Sequence, residues 1–380
     1  MHTILLSRNY SLLNQILDLK SVIKAATILP ELEHYRSSIY NACITLCGVV
    51  ERNIKDLSLG NDSIIEDILS NTHQATYYIR LIGSRLTSPI LRASENDRLS
   101  LLTIKWLHQQ SPKTVIFPPA FHDGSTAIWP FIQFAPVYYL SFFDQKGLLF
   151  QPLLFHEYGH LLYACHRDEM NDLVGELQTK IDNNLLPNSQ RNDRYANNQA
   201  KIRQQIVNTW YSWIQELFCD AIGLLIGGPC FIHAISSRLS TMNPSDFYQQ
   251  SSYMMNSSHP ITWLRIQLIA ARAMPLGYQD TAELLLQEWN LIKKSMGITE
   301  DYHGFYDVKL ENDITRIIND MITEAEPRLC TQTEALGNNW NPALDSLICL
   351  FNRAWRVYHE SPSTYPIWEK EAIKQILAIN

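Results

Sequence analysis

Residues 153–165 read LLFHEYGHLLYAC and hold the densest chemistry in the chain. His156 and His160 are four positions apart, and on a helix such positions share a face, so both imidazoles can reach one metal ion. Glu157 lies about 100° round the helix from His156. There it can flank the coordination position left for water and take a proton from that water. HExxH with apolar flanks on both sides predicts a buried helix behind a cleft. The plainer reading is a core helix that happens to carry two hydrogen-bonded histidines.

A catalytic zinc site needs a third protein ligand and keeps one position for water. The run WYSWIQELFCDAIGLLIGG offers Glu216 and Asp220, again four apart on one face. Two carboxylates on an apolar stripe are costly unless a cation pairs them. The expected roles are Glu216 as ligand and Asp220 as acceptor for the far N–H of a ligand histidine, fixing its tautomer. Cys219 is expected on another helix face, as a buried structural thiol. Further on, Ser258-His259-Pro260 opens ITWLRIQLIA. A histidine held before a Pro-initiated helix can donate to a developing oxyanion, with Tyr158 or another nearby donor beside it. Glu157 and His259 are thus the catalytic candidates, and His156, His160 and Glu216 the metal candidates.

HEYGH, ELFCD and SHPITWLRI together resemble the HExxH, ExxxD and HPxxxxRI series of gluzincin metallopeptidases, nearest to the HtpX and CAAX-prenyl-protease type. The likeness spans roughly residues 150–270. It implies a zinc-dependent endopeptidase, a hydrolase acting on a protein or peptide, with Zn²⁺ held by His156, His160 and Glu216, Glu157 as base and Asp220 in support. Many proteins of that type are membrane-embedded or exported. This chain shows neither span nor signal, so substrate class does not carry over, and a narrow substrate range is expected. An alternative from another class uses Glu31-x-x-His34, Glu157-x-x-His160 and Glu300-x-x-His303, the ExxH spacing of helical di-iron carboxylate oxidoreductases. It leaves His156 unused and takes Glu300 from the loop-like TEDYHGFYD. A third reading is a catalytically silent metal-binding scaffold.

The elements that position these residues are expected to be mainly α-helical with a small β-sheet: a zincin-like core wrapped by N- and C-terminal helices. Apolar spacing predicts helices over 9–29, 31–57, 61–87 and 95–110. From Lys113 the texture turns aromatic, β-branched and rich in Pro and Gly, which favours short strands, best at Val137–Phe143. His122-Asp123-Gly124 reads as a turn, His166 as helix-end surface. A helix is expected from about Leu148, with Pro152 in its first turn. Residues 183–199 read as an Asn-rich loop, either a passive excursion or a lid at the cleft rim. A long helix then runs from about Gln199 to Ile226, ended by Gly227-Gly228-Pro229. Trp210, Tyr211 and Trp213 are expected in core and cleft wall. After Pro260 the pattern is helical over 260–273, 280–296, 311–325, 341–359 and 364–378. The regions so drawn are 1–112, 113–275 and 276–380.

At 46% apolar residues the 380-residue chain can offset its chain entropy and fold. Lys and Arg number 31 against 38 Asp and Glu, which disfavours a general nucleic-acid binder. The first residues lack the apolar run of about 7–15 that a secretory signal needs. The longest apolar stretch, 221–235, is too short to span a bilayer and is broken by Gly227-Gly228-Pro229. Seven cysteines without CxxC then fit reduced thiols in a cytoplasm.

Overall fold

The structure, a computed structural model, describes residues 2–60, 62–130, 135–185, 194–240, 254–255, 257–297, 300, 302–338, 340–343 and 345–379. It is mainly α-helical with one small three-stranded sheet. Among the described residues no helix is long and apolar enough to cross a membrane. The contacts group the chain into two compact units, residues 1–108 with 115–146, and residues 109–114 with 147–380. The boundaries expected near 112 and 275 follow composition. The contacts follow packing, and they place the strands with the N-terminal helices.

In the first unit, α1 (His2–Ala25), α2 (Glu33–Ser58) and α3 (Ile65–Leu81) pack together. The first helix begins seven residues earlier than its apolar spacing marks, and Leu5 is buried with Leu57 and Ile68. Amid this apolar packing Asn9 donates to Thr72 Oγ1 (3.0 Å), and Asn53 donates to Asn9 Oδ1 (3.2 Å). One neutral polar cluster thus ties three helices together. A π turn at Ile82–Leu86, where a helix to 87 is expected, leads into α4 (Ser88–Arg92), and α5 (Arg98–His108) follows.

The sheet has the order β1 (Ala120–Asp123), β3 (Val137–Leu140), β2 (Ala127–Trp129), with β1 parallel and β2 antiparallel to β3. His122 and Asp123 are therefore strand residues, not a turn: they pair with Tyr139 and Leu140, and the reversal falls after them. The strand expected to reach Phe143 stops at Leu140, where Ser141 accepts no further partner strand and its hydroxyl instead binds Asp144 (2.7 Å).

The second unit is built round α6 (Leu153–Cys165) and α8 (Arg194–Gly227), with α7 (Arg167–Leu185) between them in sequence. Pro152 caps α6 rather than lying inside its first turn. Nearly every α6 side chain is buried, as expected of a helix enclosed on all sides. The Asn-rich segment is helical at both ends, 183–185 in α7 and 194–199 in α8. Its centre, 186–193, where a lid is expected, lies outside the described residues. At Gly228, with φ +62°, α8 turns into α9 (Pro229–Ser240), the two-helix reading of the apolar stretch 221–235. There follow α10 (Thr262–Ala273), α11 (Gln279–Ser295), α12 (Glu311–Ala325), α13 (Gln332–Leu336), α14 (Leu347–Glu360) and α15 (Tyr365–Ile379).

The last helices hold the ends of the first. Glu369 accepts from Leu148 N (2.7 Å) and Trp355 donates to Leu149 O (3.0 Å), fixing the entry to α6. Asn352 accepts from Cys230 N (2.9 Å) and donates to Gly227 O (3.1 Å), fixing the exit from α8. His166, expected at the surface, is buried at the end of α6 between Lys113 Nζ (3.0 Å) and Glu324 Oε1 (3.1 Å). Trp210 and Trp213 are fully buried, donating to Phe305 O and Ser257 O, whereas Tyr211 is exposed.

Candidate metal centre

Gly159 lets α6 and α8 meet. A Cβ there would lie 2.9 Å from the Cys219 Cα, a backbone atom that cannot swing aside. This close approach sets the HExxH face of α6 directly on the Glu216 face of α8. His156 Nε2 lies 3.2 Å from Glu216 Oε2, and His160 Nε2 lies 3.4 Å from Glu216 Oε1. The two imidazole rings stand nearly perpendicular, with centroids 5.2 Å apart.

These separations leave room for a metal ion shared by the two histidines and the carboxylate. Ligands bonded to one tetrahedral zinc at about 2.0–2.1 Å sit roughly 3.3–3.4 Å from each other, about 1.63 times the bond. The hydrogen bonding of His156 makes the same point. Its Nδ1 is 2.9 Å from Asp220 Oδ1, and a carboxylate can only accept, so Nδ1 carries the hydrogen. In the neutral ring Nε2 then presents a lone pair to Glu216 Oε2. Two acceptors do not hold each other at 3.2 Å, so the gap takes either a cation or a second proton on the ring, which then donates from Nε2 to Glu216. Glu216 Oε2 is buried and has no hydrogen-bond donor.

Asp220 is held in turn. Arg265, on α10, donates to Oδ2 through Nε (2.8 Å) and to Oδ1 through Nη2 (2.7 Å), a two-pronged pair in a fully enclosed place. The chain of contacts runs Arg265 to Asp220 to His156. Sequence reading names Arg265 only as part of a motif and gives it no role. Its place as the lone charge of ITWLRIQLIA is the one signal it carries.

The electrostatics follow from this layout. Burial pulls the His156 imidazole down, and its carboxylate partners Asp220 and Glu216 more than reverse that, lifting it to about 10. His160, lacking a second carboxylate, is pushed down to about 4 by burial and by the His156 charge. Burial raises Glu216, but the nearby His156, His160 and Arg265 outweigh it and hold the carboxyl well below the usual range. Asp220 is likewise held low against its burial, chiefly by Arg265. Glu157, buried and bound to no cation, is pushed up to about 7, mainly by burial.

His259 stands at the junction before Pro260, with its Nδ1 2.8 Å from Ser258 Oγ and its Nε2 3.4 Å from Glu216 Oε2. Its side chain is 56% exposed, so it forms the open rim of the site. Tyr158 does not join it. That ring is buried and its hydroxyl is 2.9 Å from Thr114 Oγ1, because residue 158 points off the far side of α6 from His156 and His160. Cys219 departs from expectation too. Its thiol lies within 4.8 Å of ligand nitrogens of both His156 and His160, a buried His-His-Cys group that could hold a metal ion. Residues 216 and 219 are i and i+3, close enough to share a face once Gly159 draws the helices together. Burial pushes the Cys219 thiol well up.

Glu31 is bound by Arg98 (2.9 Å) in the first unit, and Glu300 by Lys293 (2.8 Å) in the second. No family model, curated protein or solved structure matches the chain.

Proposed function

We propose that the chain is a zinc-dependent metalloendopeptidase with a zincin-like centre formed by α6 and α8. The observation that carries this reading is the buried Glu216 carboxylate, which sets one oxygen 3.2 Å from His156 Nε2 and the other 3.4 Å from His160 Nε2. His156, His160 and Glu216 fit the three protein ligands of a catalytic zinc. Bound there, zinc would polarise the scissile carbonyl and lower the pKa of a coordinated water to about 7.

The chain's own residues supply the rest. Asp220, braced by Arg265, holds His156 with Nδ1 protonated and Nε2 free to bind. Glu157 accepts the proton of the attacking water on its carboxylate and returns it to the leaving amine. His259, on the exposed rim, reaches over the same site to donate to the oxyanion. Substrate is a polypeptide entering past that rim.

The test is metal analysis of pure protein combined with Glu157→Gln. One zinc per chain is expected in wild type and variant alike, with cleavage of unfolded polypeptide lost in the variant. Two irons per chain, or cleavage that survives Glu157→Gln, would reject the reading.

A further inference from the structure

Beside the Asp220 position of α8 lies a solvent-open cavity of about 330 Å³, lined by α8, α10 and α12. Its size falls in the range of small-molecule pockets, about 300–1,000 Å³. Leu217, Leu224, Leu268 and Ile269 give it apolar walls. The Asp220–Arg265 pair lines it as well, but those two charges satisfy each other.

Two other charges lining it do not. Arg272 makes one hydrogen bond, from Nη1 to Asn319 Oδ1 (2.8 Å), and has no carboxylate partner among the described residues. Burial pulls its guanidinium below its ordinary value. Glu311, at the start of α12, takes a long hydrogen bond from Tyr306 (3.4 Å) and has no cation partner among the described residues. A half-buried guanidinium is costly without an anion, and most of its five donors are free. A cavity with an apolar wall and one charge of each sign left unpaired among the described residues is matched by a molecule with an apolar body and both charges.

We infer that this cavity is a binding site for a free apolar α-amino acid, its carboxylate taken by Arg272, its ammonium by Glu311 and its side chain by the leucine-lined wall. The cavity shares Asp220 and Arg265 with the proposed centre, but the contacts assigned to the ligand, Arg272, Glu311 and the leucine wall, take no part in the proposed reaction, so binding is tested separately from it. An occupant would rest against the pair that orients His156.

Calorimetric titration of the full chain with L-leucine, 4-methylpentanoate and 3-methylbutylamine tests this, since the last two keep one charge each. Leucine is expected to bind in the millimolar range or tighter, with both analogues weaker by about tenfold or more. Arg272→Gln and Glu311→Gln should each weaken leucine by a similar factor, with circular dichroism confirming the fold. Leu268→Trp, which fills the cavity without touching either charge, should also abolish binding and decides the matter if Arg272→Gln does not fold. Absence of leucine binding at about 50 mM, an analogue that equals leucine, or a folded variant that binds like wild type would each overturn the inference.

Discussion

Both units bury polar side chains between three helices, and the two clusters differ in one respect. In the first unit Asn9, Asn53 and Thr72 are neutral, and each finds a partner within the cluster. In the second, His156, Glu216, Asp220 and Arg265 are ionisable, and one oxygen, Glu216 Oε2, is left without a donor. A closed neutral cluster fixes how helices register. A charged cluster with an undonated buried oxygen is suited to take up a cation or a proton, because an acceptor left unsatisfied in the interior costs about 1–3 kcal/mol.

That contrast can be tested from its strongest point downward. Asp220→Ala removes the counter-charge of a buried arginine, which should cost about 3–5 kcal/mol of stability. It should also weaken metal binding about 10–100-fold by freeing His156 to rotate. Chemical denaturation and a competitive chelator titration measure the two effects, and stability loss without metal loss would mean that Asp220 serves only Arg265.

Gly159→Ala should separate α6 from α8, since the added carbon meets backbone at 2.9 Å. A cost of about 1–3 kcal/mol is expected, as for overpacked cores, together with weaker metal retention. Asn9→Ala is the matched perturbation in the first unit. It strands the partners on α2 and α3 at a similar cost of about 1–3 kcal/mol, yet metal content should not change. If metal falls in Asn9→Ala as it does in Gly159→Ala, the distinction between a register cluster and a site cluster fails.

The smallest effect concerns pH. His233 stacks on Trp355 with centroids 5.3 Å apart and lies 4.8 Å from His359. Burial, with the His359 charge adding to it, pushes His233 down to about 4. Unfolded, the ring takes a proton near 6.5. Between those values the unfolded chain binds the extra proton, so this stability is complete above about pH 6.5 and is lost as pH falls towards 4. Denaturation curves of His233→Gln should show about 1–2 kcal/mol less loss between pH 7 and 4.5 than wild type.

The residues of the site were legible in the sequence wherever one helix carries the whole signal. His156 with His160, and Glu216 with Asp220, are i,i+4 pairs, and that spacing alone puts each pair on one face. What escaped depends on two helices at once. The nearness of Cys219 to the histidines requires Gly159 to close the gap, and the role of Arg265 requires α10 to lie against α8. Tyr158 and His166 were misread for the same reason, since Thr114 and Glu324, which bind them, are remote in sequence. Among the strands, alternation and β-branching marked β3, but the placing of His122 and Asp123 in β1 follows from parallel pairing with β3, which local turn chemistry does not report.

The helices that close the chain give the order of synthesis a meaning. The segment from His156 to His259 emerges from a ribosome well before Asn352, which stands 125 residues beyond the Gly227 carbonyl it binds. Until α14 and α15 arrive, the entry to α6 and the exit from α8 lack their anchors at Trp355, Glu369 and Asn352. Contacts so distant along the chain form late, because the intervening loop must be closed first. A nascent chain would thus carry His156, His160, Glu216 and Asp220 while their two helices were still loose, and these residues would be fixed only once those distant anchors had emerged.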